Sequence, residues 1–417
     1  MKLKKILVWF RNDLRLHDNE MLVEAVAKSD VILPVYFFDP RYFEQTKYGT
    51  AKSGQVRIQF LIESVAALRA SFQAMGGDLM VVNGTPEEHI PQLVEKYEIT
   101  EVYHHREVAA AETLISANVE DLLWKLKVNL RHFIGHTLYN KEDLPFPIKD
   151  IPDVFSQFKK KAERDAIVKA CFAAPEHISF VDDFERGELP VYEDYPAYAH
   201  GGEKEGLDHL KEVLAEGSAI YVKGSSKSTA DKPGFSAKLS AWLTLGCLSP
   251  RKVYWQVKDA EARFGGNGNF NQLILGLLWR DYFRFMFKKH GNAFVKEVEL
   301  HSNLATSNDE LDELERWKKG ETGHMLVDKY MMELNASGFI PHAARLLVAT
   351  FLIYILKVNW TIGAAYFEEK LIDYAPASNW GNWAIVAGGG KDSRSKNAFD
   401  LEKQFKLLDV QYPGVVA

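Results

Sequence analysis

The feature that most constrains the fold is a change of hydrophobic period partway along the chain. Residues 1–143 alternate short apolar runs with helical patterns. Residues 6–10 form the first run and are followed by Arg11-Asn12-Asp13. Residues 31–38, 79–82 and 100–103 form three more, the second and third closed by Asp39-Pro40 and Asn83-Gly84. Over residues 55–75, Phe60, Leu61, Val65, Leu68 and Phe72 recur at helical spacing before Gly76-Gly77. Strands alternating with helices predict a parallel sheet covered on both faces. From about Leu207 strand signals become sparse. Residues 239–245, 271–289, 325–334, 343–356 and 362–371 carry helical periodicity instead.

The chain has 417 residues, more than one ordinary core, so two domains are expected. The reading is an α/β domain over 1–143, a connector over 144–206, and an all-helical domain over 207–417. Pro145, Pro147, Pro152, Pro175, Pro190 and Pro196 punctuate the connector, with a short helix expected at 154–163. No Gly-rich phosphate loop follows the first strand, so the standard dinucleotide fingerprint is absent.

Composition excludes several classes. Hydrophobic residues at 47% and charged residues at 26% are ordinary for a globular protein. No apolar run reaches the roughly 20 residues that span a bilayer, and the N-terminus lacks a signal-peptide pattern. Cys171 and Cys247 give neither a disulfide framework nor metal-ligand spacing. A cytoplasmic protein without metal or membrane partner is expected. A net charge of −6 argues against a surface coated for nucleic acid, though not against a local basic patch.

Asp373 to Trp383 reads Asp-Tyr-Ala-Pro-Ala-Ser-Asn-Trp-Gly-Asn-Trp. Its small and polar residues suit either a turn that admits a planar ligand or an aromatic-rich helix connection. With Trp360, Ala365-Tyr366-Phe367 and Val386-Ala387-Gly388, it resembles the flavin-binding core of photolyases and cryptochromes, nearest the DASH branch. Other segments agree in order: Val8 to Arg15, Asp143 to Phe146, Thr244 to Arg251, Leu277 to Arg284, Asn335 to Phe339 and Val348 to Leu352. The resemblance covers nearly the whole chain.

It implies an FAD protein that absorbs blue light. Ser236, Lys238, Leu239 and Ser240 fall on the stretch that holds the FAD phosphates, where hydroxyls, a helix start and a cation suit a pyrophosphate. Ala237 stands in a usual hydroxyl position. Tyr221 and Arg280 are further cofactor candidates. Arg345 and Asp373 would pair beside the isoalloxazine ring, and Asn379 would face flavin N5. Trp383 and Trp360 fall on the first two members of the family's electron-transfer chain. The third, expected between residues 298 and 308, is missing from the sequence, and Trp317 or a tyrosine is the candidate substitute.

The substrate pocket departs from the family. Gly276 stands where photolyases have a lesion-binding Glu. His342-Ala343 replaces an Asn-Arg pair, Leu346 replaces Met or Gln, and Ile385 replaces a stacking aromatic, while Trp279 remains. Charge-assisted hydrogen bonds of roughly 1.5–3 kcal/mol and base stacking of roughly 1–3 kcal/mol are removed together. His342 either exchanges protons near the flavin or fills space. The expectation is a photoreceptor or flavin redox protein with weak or no pyrimidine-dimer repair. The alternatives are a light-driven DNA photolyase, favouring single-stranded DNA, and a nucleic-acid-binding protein with structural FAD. Arg284, Lys288 and Lys289 keep DNA contact open. A methenyltetrahydrofolate antenna near Val108 to Glu112 also stays open, and a monomer is expected. Gln404 to Asp409 resembles the DASH ending, and no long signalling tail is expected.

Overall fold

A computed structural model describes residues 3–196, 198–222, 236–291, 293 and 308–388. The missing third tryptophan's region at 298–307 and the ending at 404–417 lie outside the described residues.

Five strands make a parallel sheet: β1 (Lys5–Phe10), β2 (Val31–Phe38), β3 (Met80–Asn83), β4 (Glu101–His105) and β5 (Asn129–Phe133). Their order is β3-β2-β1-β4-β5, with Leu7 opposite both Leu33 and Val102. Helices α1 (Glu20–Lys28), α2 (Gln55–Ala74), α3 (Pro86–Tyr97) and α4 (Ala110–Lys125) cover both faces. The period-2 alternation of a strand explains the split. Ile6, Val8 and Phe10 join one core with Phe60, Val65 and Phe72, while Leu7 and Trp9 join another with Ile90, Val94 and Leu123. The order reverses between β1 and β4, which opens a crevice at the carboxyl ends of those strands.

The connector is largely irregular and carries α5 (Phe155–Asp165). Helices follow: α6 (Glu203–Leu214), α7 (Ser240–Thr244), α8 (Pro250–Phe264), α9 (Gly268–His290), α10 (Asn308–Lys319), α11 (Met325–Ser337), α12 (His342–Thr350), α13 (Trp360–Lys370) and α14 (Pro376–Val386). The pattern expected over 343–356 is broken, because Phe351–Ile355 is wound as a π-helix after α12. Residues 373–383, which the composition made a turn or a connection, are mostly helix α14. Pro376 occupies its first turn, and Gly381 lets it lie against α9: a methyl there would come within 2.3 Å of the Phe283 ring.

The two parts share a core, since Leu239, Trp242, Phe270 and Phe283 belong to the cluster that contains Phe10. A polar seam lies beside it. The buried Arg15 guanidinium donates to the carbonyls of Gly246, Gly135 and Asp18 at 2.8, 2.9 and 3.0 Å. Asp18 pairs with Arg251 at 2.7 Å. Gly246 has φ +68, and a Cβ on it would lie 2.0 Å from the Asn12 carbonyl oxygen, so only glycine fits this crossing.

Candidate cofactor site

Helices α12 and α14 and the turn before α14 enclose a small cavity. His342, Arg345, Leu346, Asp373, Asn379 and Trp383 are among its walls. Arg345 Nη2 donates to Asp373 Oδ2 at 2.8 Å, and its Nε donates to the Ile340 carbonyl at 2.9 Å. The other Asp373 oxygen is buried without a hydrogen-bond partner. Asn379 is buried, and its amide donates to the Ala364 carbonyl at 2.9 Å. Three of the residues expected at the flavin ring therefore meet at one cavity. A buried carboxylate oxygen without a donor is costly unless a ligand supplies one, so the donor set fits a group with N–H edges such as a flavin.

His342 lines this cavity and is exposed. Deep desolvation, aided by the positive charge of Arg345, pushes its pKa down to about 4, so the ring is neutral near pH 7.

The phosphate stretch runs into α7. Lys238 takes a left-handed φ of +50, uncommon for a residue with a side chain. Its ammonium lies 5.7 Å from the ring centres of both Tyr198 and Phe339, and Arg345 lies 5.3 Å over the same Phe339 ring. Lys238 thus stands near the ion pair, with Ser240 opening α7 and Leu239 buried behind it. Sequence reasoning missed Tyr198. Its hydroxyl is buried near Ser240 without a well-formed hydrogen bond, and burial raises its pKa. The only signal was an aromatic in an otherwise irregular connector. Tyr221 is elsewhere: its hydroxyl donates to the Leu214 carbonyl at 2.9 Å, and its ring packs on Phe264 and Phe270.

Trp383 and Trp360 are both buried, at 3% and 2% exposure. The tip of the Trp383 indole lies against Gly363, one turn along α13 from Trp360; a methyl at 363 would come within 2.4 Å of it. The Trp360 ring N–H is buried without a partner.

A larger cleft of about 650 Å³ lies at the β1–β4 crevice, between the sheet and the helices. Trp9, Tyr42, Phe287, Arg11, Glu112 and Arg280 are among its walls. Arg280 Nη2 donates to the Leu243 carbonyl at 2.7 Å, while Nη1 is buried without a partner, and burial lowers its pKa to about 10. Tyr374, Ala375 and Ser378 line both spaces, so this turn divides them. Val108 and Glu112, which bound the segment expected to contact an antenna, line this cleft, and charged Arg11-Asn12-Asp13 directly after a parallel strand was a further signal. Glu107 was missed as well. It is buried, bonded to Asn12 at 3.0 Å and paired with Arg284 at 3.1 Å and His136 at 3.3 Å, and these charges hold its pKa far below the carboxylate range against its desolvation.

Of the substrate-pocket residues, His342 and Leu346 line the smaller cavity, whereas Trp279, Gly276, Ala343 and Ile385 line neither space. Trp279 is stacked by Phe155 at 3.6 Å and by Phe283 at 5.4 Å. Arg284 and Lys289, basic residues considered for DNA, are engaged with Glu107 and with Asp153 at 2.7 Å. Among the described residues no helix is long and apolar enough to cross a membrane, and no cluster of three or more His, Cys, Asp or Glu is placed to hold a metal.

Comparison with known proteins agrees with this arrangement. The DNA photolyase family matches residues 6–176, and the FAD binding domain of DNA photolyase matches residues 273–412. The chain is 39% identical to Cryptochrome DASH of Gloeobacter violaceus over 98% of its own length and 84% of that protein's. It is 40% identical to Cryptochrome DASH of Synechocystis sp., covering 97% and 85% of the two chains. The crystal structure of the Synechocystis cryptochrome superposes with a TM-score of 0.90 at 37% identity, over 99% of this chain and 89% of that one. A photolyase from Sulfolobus tokodaii, solved with two FAD molecules, gives 0.76 at 25% identity over 96% and 89%. The chain belongs to the cryptochrome/photolyase family, as a DASH-like, FAD-binding member. Members of this family bind DNA.

Proposed function

We propose that this protein is a blue-light photoreceptor or flavin redox protein with weak or no pyrimidine-dimer repair. FAD, when bound, supplies blue-light absorption and one-electron acceptance. Arg345 and Asp373 would hold the ring's polar edge, Asn379 its N5 side, and Ser236, Lys238 and Ser240 the phosphates. Trp383 and Trp360 would supply the electron. The observation that carries the reading is the loss of polar and aromatic contacts beside this site. Gly276, Ala343 and Ile385 offer no charge and no ring, and Trp279 is stacked against Phe155 and Phe283. A damaged base pair would find few partners there. Residual DNA contact would favour single strands, from which bases can be presented without unstacking a duplex.

The aromatic and charged lining of the interdomain cleft supports a second chromophore, and a folate antenna is the first candidate. The three-part division at residues 143 and 206, a monomeric state and a cytoplasmic location complete the proposal. The test is repair of thymine dimers in single-stranded DNA by reduced, illuminated protein. Little or no turnover is expected; turnover like that of an ordinary photolyase would establish the repair reading instead.

A further inference from the structure

The electron chain loses its third tryptophan, so an oxidised Trp360 needs another donor. Trp317 does not supply a way out. It is fully buried, and its ring N–H donates to the Val348 carbonyl at 3.0 Å. A different aromatic meets Trp360. Its ring centre is 5.9 Å from that of Trp380 in a T-shaped contact. Trp380 is half-buried on α14 and lines the interdomain cleft. Its indole N–H donates to the Tyr374 hydroxyl at 3.2 Å. Glu368, on α13, lies beside both the Tyr374 hydroxyl and the Trp380 ring N–H. The Arg57 guanidinium lies 4.6 Å over the Tyr374 ring.

We propose that Trp380 is the third carrier of the light-driven electron relay, and that Tyr374 is its terminal donor, passing its phenolic proton to Glu368. This rests on the flavin reading above. Trp383 would give one electron to a bound, photoexcited oxidised flavin. Trp360 refills Trp383, Trp380 refills Trp360, and Tyr374 refills Trp380. Tyr374 loses one electron and one proton and is left as a neutral radical. The Glu368 carboxylate becomes a carboxylic acid, and the three tryptophans end unchanged.

The surroundings of Tyr374 dictate that electron and proton leave together. Burial holds its pKa well above the usual tyrosine value, so it does not ionise beforehand. The cation over its ring disfavours a positive charge there, so a radical cation must shed its proton. Burial also raises the Glu368 pKa, with Arg57 opposing, which makes its carboxylate a stronger base. Tyr48 is the competing donor: its ring centre is 6.5 Å from Trp380, and its proton would go to water.

The FAD-loaded chain, followed by time-resolved electron paramagnetic resonance after a blue flash, should end in a tyrosyl signal. Trp380→Phe should lose most of the long-lived radical pair. Tyr374→Phe should lose the tyrosyl signal and leave a shorter-lived tryptophan signal. Glu368→Gln should delay its appearance, and Tyr48→Phe should change nothing. An unchanged resting flavin spectrum in each variant checks folding. A second arm needs no flavin. Indole oxidation by pulsed azide radicals in the FAD-free chain should be followed by tryptophan-to-tyrosine transfer that Trp380→Phe and Tyr374→Phe both reduce. This arm separates failure of the relay from failure of the flavin reading. A signal lost in Tyr48→Phe and kept in Tyr374→Phe would overturn the proposal. So would a radical pair indifferent to Trp380.

Discussion

The helical cavity and the positions that the family resemblance assigns to substrate differ in chemistry. In the cavity the charged and polar set is intact: Arg345, Asp373 and Asn379 converge, and Trp383 closes the wall. Gly276, Ala343 and Ile385 lie outside it, and Leu346 lines it without a polar group; by the family resemblance all four stand where a photolyase has groups aimed at its substrate. Buried charge is costly and persists only when paired. Its retention in the cavity, where one Asp373 oxygen still waits for a donor, indicates a ligand that returns the cost. Nothing at those four positions carries such a cost, so nothing there demands a partner.

That contrast can be broken most severely at the ion pair. Arg345→Ala leaves Asp373, whose side chain is 3% exposed, without its counter-charge. Losing one partner of a buried pair costs about 3–5 kcal/mol. A lower urea midpoint and loss of FAD are expected, and the double variant with Asp373→Ala should recover part of the stability. An unchanged midpoint would mean that the ion pair contributes nothing to the contrast. The substrate positions should respond to addition. Gly276→Glu with Ala343→Arg restores two charge-assisted partners, each about 1.5–3 kcal/mol when formed. Dimer-containing oligonucleotide should bind at least about tenfold tighter than to the parent, the equivalent of about 1.4 kcal/mol.

Two glycines sharpen the same comparison. A methyl on Gly381 would meet the Phe283 ring at 2.3 Å, and overpacking of that kind costs about 1–3 kcal/mol. A methyl on Gly276, inside α9, would have nothing within 4 Å, so Gly276→Ala should stabilise by about 0.5–1 kcal/mol through helix propensity. Thermal unfolding of the two variants should shift in opposite directions.

Much of this was legible in the chain. Strands β1, β2 and β4 announced themselves as apolar runs, because a parallel strand buried on both faces cannot alternate. Strand β5 did not, since Asn129-Leu-Arg-His-Phe is an edge strand with most of its residues exposed or partly so. Arg345, Asp373 and Asn379, expected at the flavin ring from the family resemblance, were named ahead of the structure, although Arg345 stands 28 residues from Asp373. The helix at 376–386 was misjudged because its glycine and alanines, weak signals alone, serve close packing against α9. The Trp380–Tyr374 contact was invisible. The contact joins α14 to the turn six residues before Trp380, and it depends on side-chain directions that no period or motif encodes.

The smallest expected effect concerns protons within the cavity. His342 has a folded pKa of about 4 against its ordinary 6.5. Between those values the unfolded chain binds more protons than the folded one. Stability should therefore rise with pH through this window, stay flat above it, and fall as acid charges the ring beside Arg345. Asp373 shares the cavity and offsets part of that repulsion through Arg345. The ring also meets cavity water, which screens the charge and limits the slope. His342→Gln should flatten the dependence of the urea midpoint between pH 4 and 6.5 while leaving the midpoint at pH 7.5 nearly unchanged. Added FAD, by displacing that water, should steepen the slope in the parent and not in the variant. A parent slope unaffected by His342→Gln, with or without FAD, would mean that the histidine stands outside the ligand's reach.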